Sequence, residues 1–154
     1  MKERLLLIED NAGYAAALRE RLAPFAEVDV ASTLTSGIHQ ALATDYWCIL
    51  LDLTLPDSRW PDTFNTFSQI TRSASIVIVS GQDSAEFVAE TIRAGAAGYI
   101  VKGRDDLDGE QIFGAICRAV LHKESLLGLE HAARIAHDTQ RINRTAANGS
   151  TERL

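Results

Sequence analysis

The chain has 154 residues, 46% apolar and 23% charged, with a net charge of −6 at pH 7. That length suits one domain with a substantial core. No apolar run is long enough to cross a membrane as a helix, and the acidic balance excludes direct nucleic-acid binding through a broad basic face.

The N-terminus, MKERLLLIED, turns acidic after four apolar residues, too soon for a secretory leader. Cys48 and Cys117 form no Cys-x-x-Cys pair. They read as buried free thiols of a cytoplasmic protein. Charge is unevenly divided: residues 1–122 carry 10 Lys/Arg against 17 Asp/Glu, and residues 123–154 carry 5 against 4.

Arg4–Ile8 is a short apolar run that predicts a buried strand. Tyr14, Leu18 and Leu22 then recur at fours, one face of a helix that ends at or before Pro24. Val28–Ala31 predicts a second strand, and Leu34–Ala43 a helix capped by Thr33. Cys48–Leu51 is the third strand, and Asp52 follows it directly. Phe64, Phe67 and Ile70 predict a third helix with Pro61 in its first turn. Ser75–Ser80, rich in β-branched residues, is the fourth strand. The fourth helix is expected to open at Asp83 with Glu86 as its capping partner, to face Val88 and Ile92 inward, and to stop at Gly95. Gly98–Lys102 is the fifth strand. After the polar loop GRDDLDG, Asp108 and Gln111 form a cap-like pair before Ile112, Ile116 and Val120.

Five strands alternating with five helices imply a parallel sheet covered on both faces. In such α/β sheets ligands bind beyond the carboxyl ends of the strands. Those ends deliver Glu9 and Asp10, Ser32 and Thr33, Asp52, Ser80, and Lys102. Each residue alone has an ordinary explanation as a cap, a turn or a solvated side chain. Their convergence on one sheet edge does not.

Three neighbouring carboxylates repel one another unless a cation neutralises them. Oxygen donors of this kind suit Mg²⁺, which keeps waters and binds beside phosphoryl oxygens. A carboxylate next to that ion can attack phosphorus and form an acyl phosphate. Lys102 and Ser80 would then hold the phosphoryl oxygens. The same edge excludes two rivals. IEDNAGYAA lacks the G-x-G-x-x-G of a dinucleotide fold, and no G-x-x-x-x-G-K-[ST] occurs.

The pieces LLLIEDN, ILLDLTLPD, IVIVSGQD and AGAAGYIVKG, in this order over about residues 3–122, resemble the receiver domain of two-component response regulators. The resemblance implies a flavodoxin-like (βα)5 doubly wound sheet of order 2-1-3-4-5. It implies Asp52 as phosphoacceptor and Asp10 as a direct Mg²⁺ ligand. Glu9 would act on the ion through water, and Thr54 would give it a backbone carbonyl. Ser80 matches the switch hydroxyl, Lys102 the phosphoryl-binding lysine, and Tyr99 the aromatic that changes rotamer with the hydroxyl. Thr54 and Gln82 stand where the family tunes dephosphorylation. The implied partners are a histidine kinase or phosphotransfer protein, and a downstream protein on the face of the fourth helix, fifth strand and fifth helix. Neither nucleic acid nor membrane is a direct partner, and a switch of this kind is not a turnover enzyme.

Two departures stand out. Gly103 replaces a common proline after Lys102, making a cis peptide there less expected. The loop PDSRWPD lacks the family's glycine and carries Trp60–Pro61 instead. These keep a pseudo-receiver, a scaffold that binds a partner without phosphoryl chemistry, as the alternative. A flavodoxin-like cofactor binder is disfavoured by the acidic edge.

The receiver pattern is complete at residue 122. Residues 123–154 are expected to be a helical extension, helix-prone to about Arg144, with a disordered end. They are too few to hold a core alone. The extension continues the fifth helix, docks on the domain, or pairs as a homodimer through Leu121, Gly128, Ile135 and Ile142, spaced by sevens. His137 beside Asp138 also resembles the phosphoacceptor box of histidine kinases, although no ATP-binding domain follows.

Overall fold

The structure is a computed structural model. It describes residues 2–71, 73–103 and 107–152, the last five as backbone. The elements run β1 (Glu3–Ile8), α1 (Ala12–Leu22), β2 (Ala26–Ala31), α2 (Leu34–Ala43), β3 (Cys48–Leu51), β4 (Thr54–Leu55), β5 (Ser58–Arg59), α3 (Asp62–Ile70), β6 (Ser75–Ser80), α4 (Ala85–Ala94), β7 (Gly98–Val101) and α5 (Gly109–Glu152). The chain divides into two units, Met1–Val120 and Leu121–Leu154.

Five strands form one sheet in the order β2-β1-β3-β6-β7. Every neighbouring pair in it is parallel. Counting along the chain without the small β4–β5 pair, this is the expected flavodoxin-like order 2-1-3-4-5.

Strand alternation sends side chains to opposite faces and so builds two cores. Leu5, Leu7, Leu50, Val77 and Val79 pack with Leu18 and Leu22 of α1 and with Ile112 and Ile116 of α5. Leu6, Ile8, Ile49, Leu51, Ile76 and Ile78 pack with Phe64 and Phe67 of α3 on the other side. All four residues of β3 are buried, which is why the strand reads as a continuous apolar run rather than an alternating one. Burying a side chain such as Phe67, fully enclosed here, contributes about 1.5–3 kcal/mol.

The caps are local chemistry. Asn11 accepts the Tyr14 N–H at the start of α1. Thr33 and Ser36 form a reciprocal box at α2. Asp108 and Gln111 exchange bonds of 2.8 and 2.9 Å at α5, as expected. Gly95 ends α4 at φ 117°, where a Cβ would be strained.

Several expectations are corrected. The cap of α4 is Ser84, whose Oγ accepts the Phe87 N–H at 3.2 Å. Its extended backbone makes it the last non-helical residue, so the Asp83–Glu86 pattern falls one position early. Ile92 is exposed and Thr91 is buried. The inward face of α4 passes through Phe87 and Thr91, which turns Ile92 about 100° away from it. Pro61 lies just before α3 rather than inside its first turn. β2 starts at Ala26, two residues before the expected Val28, and α5 runs to Glu152, past Arg144. The expected loop at Arg104–Asp106 and the last two residues of the expected disordered end lie outside the described residues.

The loop after Asp52 holds a feature no pattern announced. Thr54–Leu55 and Ser58–Arg59 pair antiparallel around a turn at Pro56–Asp57. Asp57 reaches from that turn to α2, where Oδ1 accepts the Leu34 N–H at 2.8 Å and Oδ2 the Thr35 N–H at 3.0 Å. An acidic side chain at a helix N-terminus meets unpaired donors and the positive end of the dipole.

Candidate functional site

The sheet ladder continues one residue past its strands and fixes the polar residues at its carboxyl edge. The Glu9 N–H donates to Ala31 O at 2.9 Å and the Asp52 N–H to Ile8 O at 3.0 Å. The Lys102 N–H donates to Ser80 O at 2.8 Å. The backbone of each residue is therefore held as firmly as a core strand, although its side chain is polar.

Oxygens of Glu9, Asp10 and Asp52 lie within 4.8 Å of one another. Glu9 is 1% exposed and Asp52 4%, whereas Asp10 is open to water. Lys102 bridges the two buried carboxylates. Its Nζ donates to Glu9 Oε1 and Oε2 at 2.7 and 2.8 Å and lies 3.2 Å from Asp52 Oδ2. Its ammonium also lies 5.0 Å from the centre of the Tyr14 ring, within cation–π range.

Two buried carboxylates facing one ammonium leave an excess negative charge, which favours a proton on Glu9. Burial, with the hydrogen bond and charge of Asp52, pushes the Glu9 carboxyl up to about 7. Lys102 moves the other way from what burial alone dictates. Desolvation disfavours its ammonium, but the Glu9 hydrogen bond and the Asp52 charge outweigh it and raise its pKa. Burial also raises the Tyr14 phenol.

The remaining expected residues surround this cluster. The Thr54 N–H donates to Asp52 Oδ1 at 3.2 Å, and Ser80 Oγ accepts the Gln82 N–H at 3.2 Å. Tyr99, half-buried, donates its hydroxyl to Gln82 O at 2.7 Å. Glu9, Asp10, Asp52, Thr54, Ser80 and Lys102 thus meet at one edge, with Tyr99 joined to it through Gln82. His137 belongs to the second unit, exposed, with Nδ1 4.0 Å from Asp138 Oδ1.

Sequence reasoning missed three neighbours. In the sequence Tyr14 is one residue of an apolar helix face, yet its ring meets Lys102. Asp57 carried no local signal, because its partners are 22 and 23 positions away. Trp60 stands out in the sequence, but its surroundings are not legible there. Its ring lies 5.7 Å from Phe87 and 5.8 Å from Phe64, and Phe87 lies 6.3 Å from Tyr99. Trp60 Nε1 donates to Glu90 Oε1 at 3.3 Å. A chain of rings thus links the loop after Asp52 to α4 and β7. Among the described residues the one cis peptide bond is Trp60–Pro61.

Comparison with known proteins gives a consistent family. A family model for the response regulator receiver domain matches residues 5–113. The transcriptional regulatory protein MctR of Rhizobium johnstonii is 29% identical over 118 residues, 75% of this chain and 54% of that protein. The chemotaxis protein CheY of Thermotoga maritima is 28% identical over 107 residues, 66% of this chain and 87% of that one. The chain spans about half the length of the transcriptional regulators it matches. A CheY-like receiver structure from Methanospirillum hungatei superimposes with a TM-score of 0.69 at 21% identity, over 81% of this chain and 98% of that one. At that identity the superposition speaks for the fold.

Proposed function

Because the chain belongs to the response regulator receiver family, we propose that it is a phosphorylation switch of the cytoplasm that accepts a phosphoryl group on Asp52 from a phosphohistidine. The observation that carries this reading is the meeting of Asp52 with Glu9, Asp10 and Lys102 at the open edge of the sheet. A buried carboxylate on a fixed backbone is a positioned nucleophile, and the lysine beside it is a positioned counter-charge.

In the proposed step an Asp52 carboxylate oxygen forms a bond to phosphorus as the P–N bond to the donor imidazole breaks. The electron pair of that bond leaves with the imidazole nitrogen. Lys102 turns from Glu9 toward the phosphoryl oxygens. Ser80 turns its hydroxyl from the Gln82 N–H to the same group, and Tyr99 and α4 respond. The output is altered affinity for a downstream protein on the α4, β7 and α5 face.

The donor set fits Mg²⁺: three hard carboxylate oxygens, with Asp10 exposed so that waters complete the shell. Asp10 and Asp52 would ligate it directly, Glu9 through water, and Thr54 through its carbonyl. Bound there, the ion supplies positive charge against the three carboxylates and the incoming phosphoryl oxygens.

The pseudo-receiver reading draws on one observation, that the Lys102 ammonium is already satisfied by both oxygens of Glu9. A Mg²⁺ titration followed by tryptophan fluorescence separates the two. A saturable response that Asp10→Asn weakens supports the switch. A folded protein with no saturable response supports the scaffold.

A further inference from the structure

Exposed side chains in the second unit keep a strict heptad order. Leu121, Gly128, Ile135 and Ile142 are spaced by sevens, and the three branched side chains among them are each more than half exposed. Four residues after each comes a small side chain: Ser125, Ala132, Thr139 and Ala146. Spacings of four and three hold one face of a helix.

We propose that this face pairs with a second copy of the chain, in antiparallel order. The register is set by size. When residue numbers on the two copies sum to 267, Leu121 meets Ala146 and Ser125 meets Ile142. In the same register Ala132 meets Ile135 and Gly128 meets Thr139. Every branched apolar side chain therefore fills the space above a small one, and the two-fold axis repeats each pair. A parallel pair would instead stack Ile135 on Ile135 and leave Gly128 opposite Gly128, an uneven seam with a gap.

Charge selects the same direction. Residues 121–131 hold Lys123 against Glu124 and Glu130, a net of −1. Residues 132–147 hold Arg134, Arg141 and Arg144 against Asp138, a net of +2. An antiparallel pair lays the acidic half of each copy along the basic half of the other, whereas a parallel pair lays like on like. Leu129 flanks the seam opposite Ala136 of the second copy. Leu126, also exposed, lies about 200° around the helix from Gly128 and outside the contact.

The test uses the full chain. Sedimentation equilibrium is expected to show a dimer that Ile135→Arg loses and Leu126→Arg keeps, with circular dichroism confirming that both remain folded. In a Cys117→Ser background, a Ser125→Cys chain mixed with an Ile142→Cys chain is expected to form the mixed disulfide. Self-crosslinking of each variant would show a parallel pair and overturn the proposal. A monomer at every concentration, or a dimer that survives Ile135→Arg, overturns it as well, as does equal loss in Leu126→Arg. None of these readouts depends on phosphoryl chemistry at Asp52.

Discussion

The Lys102 ammonium donates to both carboxylate oxygens of Glu9, at 2.7 and 2.8 Å, across 93 positions of sequence. It also sits 3.2 Å from Asp52, so among the described residues one cation holds two buried carboxylates. Removing it exposes their repulsion. Lys102→Met is expected to lower unfolding free energy by about 3 kcal/mol above neutral pH, because an unpaired charge is left in a desolvated site. The loss should shrink near about pH 5, where a proton replaces the ammonium. Urea unfolding at the two pH values measures both terms.

Glu9 gives the metal-free protein a specific pH dependence. Its folded-state pKa is about 7 against an ordinary 4.5, so the folded protein binds this proton more tightly than the unfolded chain does. The resulting stabilisation is complete below pH 4.5 and is lost as pH rises through about 7. Its size is on the order of 3 kcal/mol. Urea midpoints followed across that window should fall with rising pH in the wild type. In Glu9→Gln the slope should flatten.

Asp57 titrates in the opposite sense. Hydrogen bonds from the Leu34 backbone, then from Thr35, hold its carboxyl below the ordinary carboxylate range. That contribution is present above the ordinary pKa and is lost as pH falls through the lowered one. Asp57→Ala is expected to cost about 1 kcal/mol at neutral pH, the usual worth of a side chain on helix N-terminal donors. The deficit should close in acid. Asp57→Asn, which keeps one acceptor, should lie between. Because Asp57 ties the β4–β5 turn to α2, the same variant should also weaken the fluorescence response to Mg²⁺.

Trp60 should report on the switch. Its ring contacts Phe87, and Phe87 contacts Tyr99, so a rotamer change at Tyr99 alters the surroundings of the indole. In a Trp47→Phe background the emission of Trp60 is expected to shift on adding a small phosphodonor with Mg²⁺. Phe87→Ala should suppress the shift while leaving phosphorylation in place.

How much of this was readable follows from the range of each interaction. The main strands and the polar residues at their ends are local: a buried run such as Cys48–Leu51 must be apolar, and whatever follows it arrives at the sheet edge. Asp10, Asp52 and Lys102 were therefore legible by position. The β4–β5 pair was not, since two-residue strands show no periodicity. Nor was the Asp57 bond to Leu34, which depends on tertiary proximity. The fourth helix misled because Val88 and Ile92 share one four-residue spacing while Phe87 and Thr91 share another. Hydrophobicity favours the first, whereas packing buried Thr91, whose hydroxyl is satisfied by Val88 O at 2.7 Å. Tyr14 was legible as an inward residue but not as a partner of Lys102, because that pairing joins the first helix to the last strand.

Peptide-resolved mass spectrometry after incubation with a small phosphodonor and Mg²⁺ tests the role of Asp52 most directly. One base-labile phosphoryl group on the peptide containing Asp52, absent from Asp52→Asn, is the predicted result. No adduct on the folded wild type, or an adduct that persists in Asp52→Asn at another residue, would contradict it.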